Sequence, residues 1–389
     1  MSRSIIHLNI ADFAVAVERS LDSRLKNRPV IVATPGSGRA RVFDMCDEAY
    51  GCGIRKGMPV FRAMSRCRDA RVLPPRPARY EQAMNALVRQ AACYSPQLEP
   101  GDGDGHLFLD VTGTARLWGS PMDIAWRLRK QARSELNLDP IWSVAPNRLT
   151  AKIASRIVKP SGEYIVAAGE ESEFMAPLSL DLIPGIEHDD LERLAGFNLT
   201  LARHVAALSE AELSVPFGAR ARFIRNAVLG VDDTPVRMIH DHPPVVRLDH
   251  GFGQDAVNPE RVACILYILA EQAGSRLRQM GLAARRVVIR LEYADGIRVV
   301  RQIAARPATA SDAGLAALAR QTLGLAWRRR IGIRHLCLTC EGLVFPPAQL
   351  PLFEAPAVQR KNRLETTVDA IRSRFGRDSV QMARTLAVT

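Results

Sequence analysis

Long apolar runs are missing from this 389-residue chain. No uninterrupted stretch approaches the roughly 18 residues that a membrane span requires. Asp12 and Glu18 fall inside what would have to be the apolar core of a signal peptide. Membrane-spanning and secreted classes are thereby excluded, and a cytoplasmic protein without a membrane partner is expected. Cysteine is sparse and odd in number, seven residues at 46, 52, 67, 93, 264, 337 and 340. That scatter excludes a disulfide framework and fits a reducing compartment. Lysine is scarcer still: Lys26, Lys56, Lys130, Lys152, Lys159 and Lys361 are the only ones among 53 basic residues. Such an arginine skew is what a GC-rich genome imposes. No internal repeat and no low-complexity tract is present.

What is there is the balance of a soluble globular chain, 47% hydrophobic and 24% charged, long enough for about two to four domains. The 53 basic residues outnumber 41 acidic ones, a net charge of +12. A surplus of this size points to a polyanionic partner, nucleic acid being the commonest. Its placement is uneven: residues 241–389 hold 22 basic and 13 acidic side chains, nine of the twelve net charges. A localised surplus marks a binding face better than a uniform one.

Along the chain, Ile5-Ile6-His7-Leu8-Asn9-Ile10 reads as a buried strand, followed by Phe13, Val17 and Leu21 at helical spacing. Val30–Ala33 is a second strand, and Asp44–Cys52 a helix stopped by Gly53. Asp102-Gly103-Asp104-Gly105 is a hairpin turn feeding the strand His106–Val111. Ile141–Ala145 is a strand and Pro146–Val158 a helix, so the first 165 residues mix both types in an α+β manner. Residues 170–230 carry almost no strand signal, and the proline-bearing stretch 232–244 reads as a linker. Beyond it the order is β-α-β-β-α-β (245–340), a recurring compact module. From Phe345 the chain is proline-rich and then basic and helical over 358–375.

Four segments in this order, IIHLNIADFAVAVE (5–18), GIRKGMP (53–59), FLDVTGTARLWGS (108–120) and VAPNRLTAKIASRIVKPSG (144–162), resemble the Y-family (DinB/UmuC-like) DNA polymerases. The resemblance implies an α+β right hand: a palm at 1–10 and 75–165, fingers at 11–74, and a helix–hairpin–helix thumb at 166–231. A linker at 232–244 and a little finger that grips template DNA at 245–344 would follow, then a clamp-binding motif and basic tail at 345–389. IPGIEHDDLERLAGF (183–197) looks like the thumb hairpin, with Glu187 where a glycine lets backbone amides approach phosphate.

In that family, three carboxylates hold two divalent ions that activate the primer hydroxyl and bind the triphosphate. The matching positions here are Asn9, Gly105 and His106, and an amide, a glycine and an imidazole cannot replace three carboxylates for Mg²⁺. Ala14 stands at the ribose-excluding aromatic, and Asp47 and Tyr50 at the tyrosine and arginine that hold the triphosphate. Lys159 matches the triphosphate lysine, although a lysine ending a helix is also favoured by the helix dipole. Candidate substitute acids are Asp12, Asp102, Asp104 and Asp110; Asp12 can equally cap the following helix, and Asp102 and Asp104 suit a hairpin turn.

The stretch GDGHLFLDVTGTARLWG (103–119) resembles the inactive ImuB-type proteins of bacterial mutasomes more than it does active polymerases. That resemblance implies a non-enzymatic adaptor without cofactor, linking an error-prone C-family replicase and a RecA-like protein to DNA, the sliding clamp and the nucleoid during translesion synthesis. The alternative is an active Y-family translesion polymerase with displaced acids and Mg²⁺. Gln349-Leu350-Pro351-Leu352-Phe353 looks like the bacterial clamp-binding pentapeptide, leucines and aromatic for an apolar cleft and glutamine for its rim. About one or two chains in a hundred of this length would show it by chance. Arg286, Arg290, Arg298 and Arg301 are the candidate phosphate contacts of the little finger, parity separating Arg298 from Arg301. Cys337 and Cys340, three apart on a strand, point to opposite faces and read as core rather than a metal pair. His240 and His242 read as solvated linker residues.

Overall fold

The computed structural model describes residues 3–34, 40–101, 103–238, 245–346, 355–376, 379–381 and 383. The chain divides into two units, Met1–Asp241 and His242–Thr389. Among the described residues no helix is long and apolar enough to cross a membrane.

The strands of the first unit are β1 (Ile5–Asn9), β2 (Val30–Val32), β3 (Asp44–Met45), β4 (Arg71–Leu73), β5 (Leu98–Pro100), β6 (His106–Asp110), β7 (Ile141–Ala145) and β8 (Glu163–Ile165). Five form one sheet in the order β5-β6-β1-β7-β8, and β3-β2-β4 form a second, smaller one. All five residues of β1 are buried, His7 and Asn9 included, as befits a central strand covered on both faces. Ile6 and Leu8 point into a core shared with Phe13, Val17, Leu87 and Leu128. Ile5, by alternation, faces Phe108, Ala151 and Ala154 on the other side. The helix Arg148–Ile157, capped by Asn147 Oδ1 accepting from Thr150 N at 2.9 Å, covers that second face.

The smaller sheet lies within residues 11–74. The helix expected over Asp44–Cys52 is split there: Asp44–Met45 pairs with β2, and only Asp47–Gly51 is helical. The pairing places the Asp44 side chain at the start of the helix Phe13–Leu21, a tertiary contact that overrides local periodicity. Short helices from Glu171 to Val228 make a third core around Leu194, Val205, Leu213 and Ile224. Gly185 there has φ +89°, and a Cβ on it would lie 2.5 Å from the Phe223 ring, so only glycine fits this hairpin.

The stretch expected as a linker does not begin as one. Asp232 Oδ2 accepts from Leu149 N, Arg237 N donates to Glu99 Oε2, and Val236 is buried. Residues 232–238 are thus fastened to the first unit, whereas 239–244, with His240 and His242, lie outside the described residues.

In the second unit, β9 (Val246–Ala256), β10 (Ala283–Tyr293), β11 (Arg298–Thr309) and β12 (Ile333–Val344) form an antiparallel sheet ordered β11-β10-β12-β9. The helices Pro259–Gln279 and Asp312–Ala326 cover one face, against Val287, Ile289 and Leu291. Cys340 belongs to that core, and Cys337, also buried, lies on the opposite face beside Arg247 and Asp249. A further helix, Ala355–Phe375, is tied to the same unit through Arg278, which bridges Asp312, Glu365 and Asp369 at 2.7, 3.5 and 2.7 Å. Arg372 adds a 2.9 Å ion pair with Glu271.

Candidate functional site

Strand register decides which of the sequence candidates meet. β1 runs antiparallel to β6 with Asn9 opposite His106 and Ile5 opposite Asp110. Asn9, Gly105 and His106 therefore do converge on one end of the sheet. Asp110 lies at the other end, four residues or about 13 Å away along the strand. There its carboxylate accepts from Thr112 N at 3.0 Å and Thr112 Oγ1 at 2.5 Å and faces Arg3 at 3.8 Å. Asp110 is a turn-forming residue, and its candidacy as a substitute acid is corrected by the antiparallel register.

At the other end Asn9 is buried at 1% exposure, with neither Oδ1 nor Nδ2 hydrogen bonded among the described residues. An uncompensated buried amide costs free energy and marks a place where structure is not optimised for its own stability. Beside it a polar chain runs inward: His106 Nδ1 lies 3.0 Å from His7 Nε2, and His7 Nδ1 lies 2.7 Å from Ser155 Oγ. The two imidazoles stack at 5.1 Å, and His7 also stacks on Phe108 at 4.3 Å. Burial lowers the His106 pKa to about 4 against the opposing pull of Asp104, and burial drives that of His7 well below the usual value. Both rings are neutral at physiological pH. The pairing of His7 with His106 was missed in the sequence, because only register brings residues 99 positions apart together.

Asp104 is exposed; its Oδ1 accepts from His106 N at 3.2 Å, and its Oδ2 lies 3.9 Å from His106 Nε2. Asp102 lies outside the described residues. Gly105 has φ +81°, and a Cβ on it would meet Phe13 Cβ at 2.8 Å and Ile10 O at 2.9 Å. This position is closed to any side chain, a carboxylate included, unless the hairpin moves.

Asp12 occupies the N-cap of the helix Phe13–Leu21 but makes no side-chain cap hydrogen bond, and its backbone is left-handed at φ 48°. The cap comes instead from Asp44, whose Oδ2 accepts from Ala14 N at 2.8 Å while Lys56 Nζ stands 2.7 Å from its Oδ1. Burial, with Asp44 and Asp47 nearby, raises the Asp12 pKa to about 6. Burial lowers the Lys159 pKa, against the pull of Asp12 and with Lys56 and Arg156 adding to the shift. Asp44 carried no sequence signal of its own, since its partner Ala14 is 30 residues away. Tyr50 lies under the Arg55 guanidinium at 3.7 Å.

The donor set does not fit a pair of divalent cations. Asn9, Gly105 and His106 offer no carboxylate, and among the described residues no three His, Cys, Asp or Glu side chains are grouped so as to hold a metal ion.

In the second unit, the open face of the sheet carries Arg286, Arg290 and Arg298, opposite Ala304, Val300 and Glu292. Arg301 pairs with Ile289, whose side chain is buried under the helices, so Arg301 lies on the other face and leaves the expected set of contacts. Arg286 faces Glu341 at 3.5 Å, Arg298 faces Glu292 at 2.8 Å, and Arg247 faces Asp249 at 3.1 Å. Arg290, exposed mid-face, has no ion pair among the described residues. Gln349, Leu350, Leu352 and Phe353 lie outside the described residues.

Comparison with known proteins gives matches to the impB/mucB/samB family over residues 8–156 and to the C-terminal domain of that family over 249–352. The DNA polymerase IV of Dehalococcoides mccartyi (strain CBDB1) is 30% identical over 384 residues, covering 98% of this chain and 97% of that one. That of Alkalilimnicola ehrlichii is 32% identical over 313 residues, 80% of this chain and 87% of its own. Among solved structures, a Y-family DNA polymerase chimera of Dbh and Dpo4 superposes with a TM-score of 0.72 at 20% identity, covering 88% of this chain and 99% of its own. The α+β right hand with a little finger is therefore the fold. These relatives overturn the expectation of a non-enzyme, since proteins named as polymerases match this chain over nearly its full length. The expectation of no cofactor falls with it, because the resemblance attaches Mg²⁺ to an active member.

Replacing Gly105 by Asp is expected to destabilise the chain by about 2 kcal/mol or more in urea denaturation, from left-handed strain plus overlap with Phe13. Gly103→Asp, left-handed too but with open space around it, should cost less; equal losses would show that the Phe13 contact does not constrain the hairpin.

Proposed function

Because the chain belongs to the impB/mucB/samB family, the Y-family DNA polymerases, we propose that it acts on primer–template DNA as a translesion polymerase with displaced acids. The observation that carries the reading is the end-to-end match to polymerase IV relatives, palm and little finger together. At the β1–β6 edge the acids still offered by the described residues are Asp12 and Asp104. Neither occupies a position where the family keeps its carboxylates. Both are accessible to a substrate from this edge, Asp104 exposed and Asp12 half-buried. The neutral His7–His106 pair leaves the positive charge here to Lys56, Lys152 and Lys159, which suits an anionic substrate.

DNA is held, on this reading, by the open face of the little finger. Three of its arginines are already matched by carboxylates, and a matched arginine gains less from a phosphate because its present partner must be given up. Arg290 has no such cost. The clamp is the second partner: Gln349-Leu350-Pro351-Leu352-Phe353 follows the little finger directly, behind Pro346-Pro347, where an extended tether loses little entropy on binding an apolar cleft.

Primer extension with Mg²⁺ and with Mn²⁺ tests the main reading. Template-directed incorporation is expected, reduced in Asp104→Ala and Asp12→Asn; no incorporation with either ion, DNA binding being intact, would overturn it. Arg290→Ala should weaken primer–template binding and shrink the slope of log affinity against log salt by about one. Arg301→Ala should leave both unchanged, and equal losses from the two would contradict the assignment of the open face. Alanine at Gln349, Leu352 and Phe353 together should abolish binding to a bacterial sliding clamp and spare DNA binding, and an undiminished clamp affinity refutes the motif.

A further inference from the structure

The scattered cysteines make no disulfide framework, yet the fold brings two of them together. Cys52 ends the helix Asp47–Gly51, and Cys67 ends the helix Val60–Arg66. The residues beside the two thiols are joined directly. Arg66 Nη1 donates to the Gly53 carbonyl, and a Cβ on Gly53 would lie 3.1 Å from that same nitrogen. The two helix ends therefore meet, and the Cys67 thiol shares a hydrogen bond with that of Cys52. Their surroundings differ. Cys52 is exposed, whereas Cys67 is buried in the core that holds Ile54 and Ala63. Burial, and then the contact with Cys52, raises the Cys67 pKa, which keeps that thiol protonated and unreactive on its own. Cys93, the other exposed cysteine, bonds to the Gln90 carbonyl instead.

We infer that Cys52 and Cys67 form a modification site, a dithiol that hydrogen peroxide converts to a reversible disulfide. The exposed thiol meets the oxidant. Its sulfur attacks one peroxide oxygen, the O–O bond breaks, and the departing hydroxide takes up the thiol proton as water, leaving Cys52 as a sulfenic acid. The Cys67 sulfur then attacks the Cys52 sulfur, the S–O bond breaks, and the hydroxyl leaves with the Cys67 proton as a second water. Two thiols and one peroxide give one disulfide and two waters, with two electrons passing from sulfur to the peroxide oxygens. Burial confines Cys67 to the second step, because its accessible neighbour is the sulfur of Cys52. The bond would tie down the stretch 53–66, which supplies Lys56 to Asp44. In a reducing compartment such a bond is transient and responds to oxidant, unlike a structural disulfide.

The test treats the full chain with hydrogen peroxide, blocks the remaining thiols with N-ethylmaleimide, and maps the unreduced peptides by mass spectrometry. A linked pair of peptides holding Cys52 and Cys67 is expected, lighter by two hydrogens than the separate thiols and released by dithiothreitol. Cys52→Ser should abolish the link and leave Cys67 as a free thiol. Cys67→Ala should leave Cys52 as a sulfenic acid that dimedone traps, and Cys93→Ser should leave the link intact. Melting curves of the reduced variants establish that each is folded; Cys52→Ser, an exposed substitution, carries the test if Cys67→Ala is not. Absence of the Cys52–Cys67 link in the treated chain, a link from Cys52 to another cysteine in its place, or oxidation of Cys67 in folded Cys52→Ser, overturns the proposal.

Discussion

β1 is the constraint on which the first unit depends. Five consecutive buried residues, hydrogen bonded to β6 on one side and β7 on the other, leave that strand no freedom of register. A slip of one residue would turn Ile6 and Leu8 out of one core and drive His7 and Asn9 into it. The same alternation that buries Ile6 and Leu8 therefore fixes Asn9 against His106 and puts His7 within reach of Ser155. It sends Asp110 to the far end. The hydrophobic effect positions the polar edge here, and the polar groups follow.

The features that sequence made legible are those carried by short-range patterns. Alternation on β12 told Cys337 from Cys340, and parity separated Arg301 from Arg298 before any strand pairing was known. The departures at Asn9, Gly105 and His106 were legible by resemblance alone. What stayed hidden depends on pairing between distant segments. Asp44 looked like the start of a helix because Asp47–Gly51 continues the pattern, and only the β2–β3 pairing turns its carboxylate toward Ala14. Asp12 read as a helix cap because local spacing cannot show that a second acid has already taken the N–H. Residues 232–238 read as linker because proline and charge say nothing of Asp232 reaching Leu149. The expectation of a non-enzyme came from reading three positions; the match along the whole chain outweighed it.

Charge organises the two units differently. In the first, acids and lysines neutralise one another around the start of one helix, and Asp12 holds its proton to about pH 6 in that company. In the second, a minority of the arginines are held by carboxylates among the described residues, Arg278 most firmly. Arg278 binds three carboxylates to fasten the helix Ala355–Phe375, and burial leaves Asp312 protonated up to about pH 6 even beside that guanidinium. Ion pairs that are buried in this way hold position more than they add stability. On the open sheet face the pairs are exposed and weak, so they can yield to a polyanion, and the net charge of the sequence becomes a question of which arginines are free.

Gly105 carries a consequence for how such a sequence can change over time. A left-handed turn packed against Phe13 and Ile10 leaves no room for a carboxylate at that position while the hairpin stands as it does. The hairpin would have to be rebuilt first, or Phe13 made smaller at the expense of the core beneath β1. A substitution that adds a side chain at Gly105 is therefore harmful alone and tolerable only after a second change beside it.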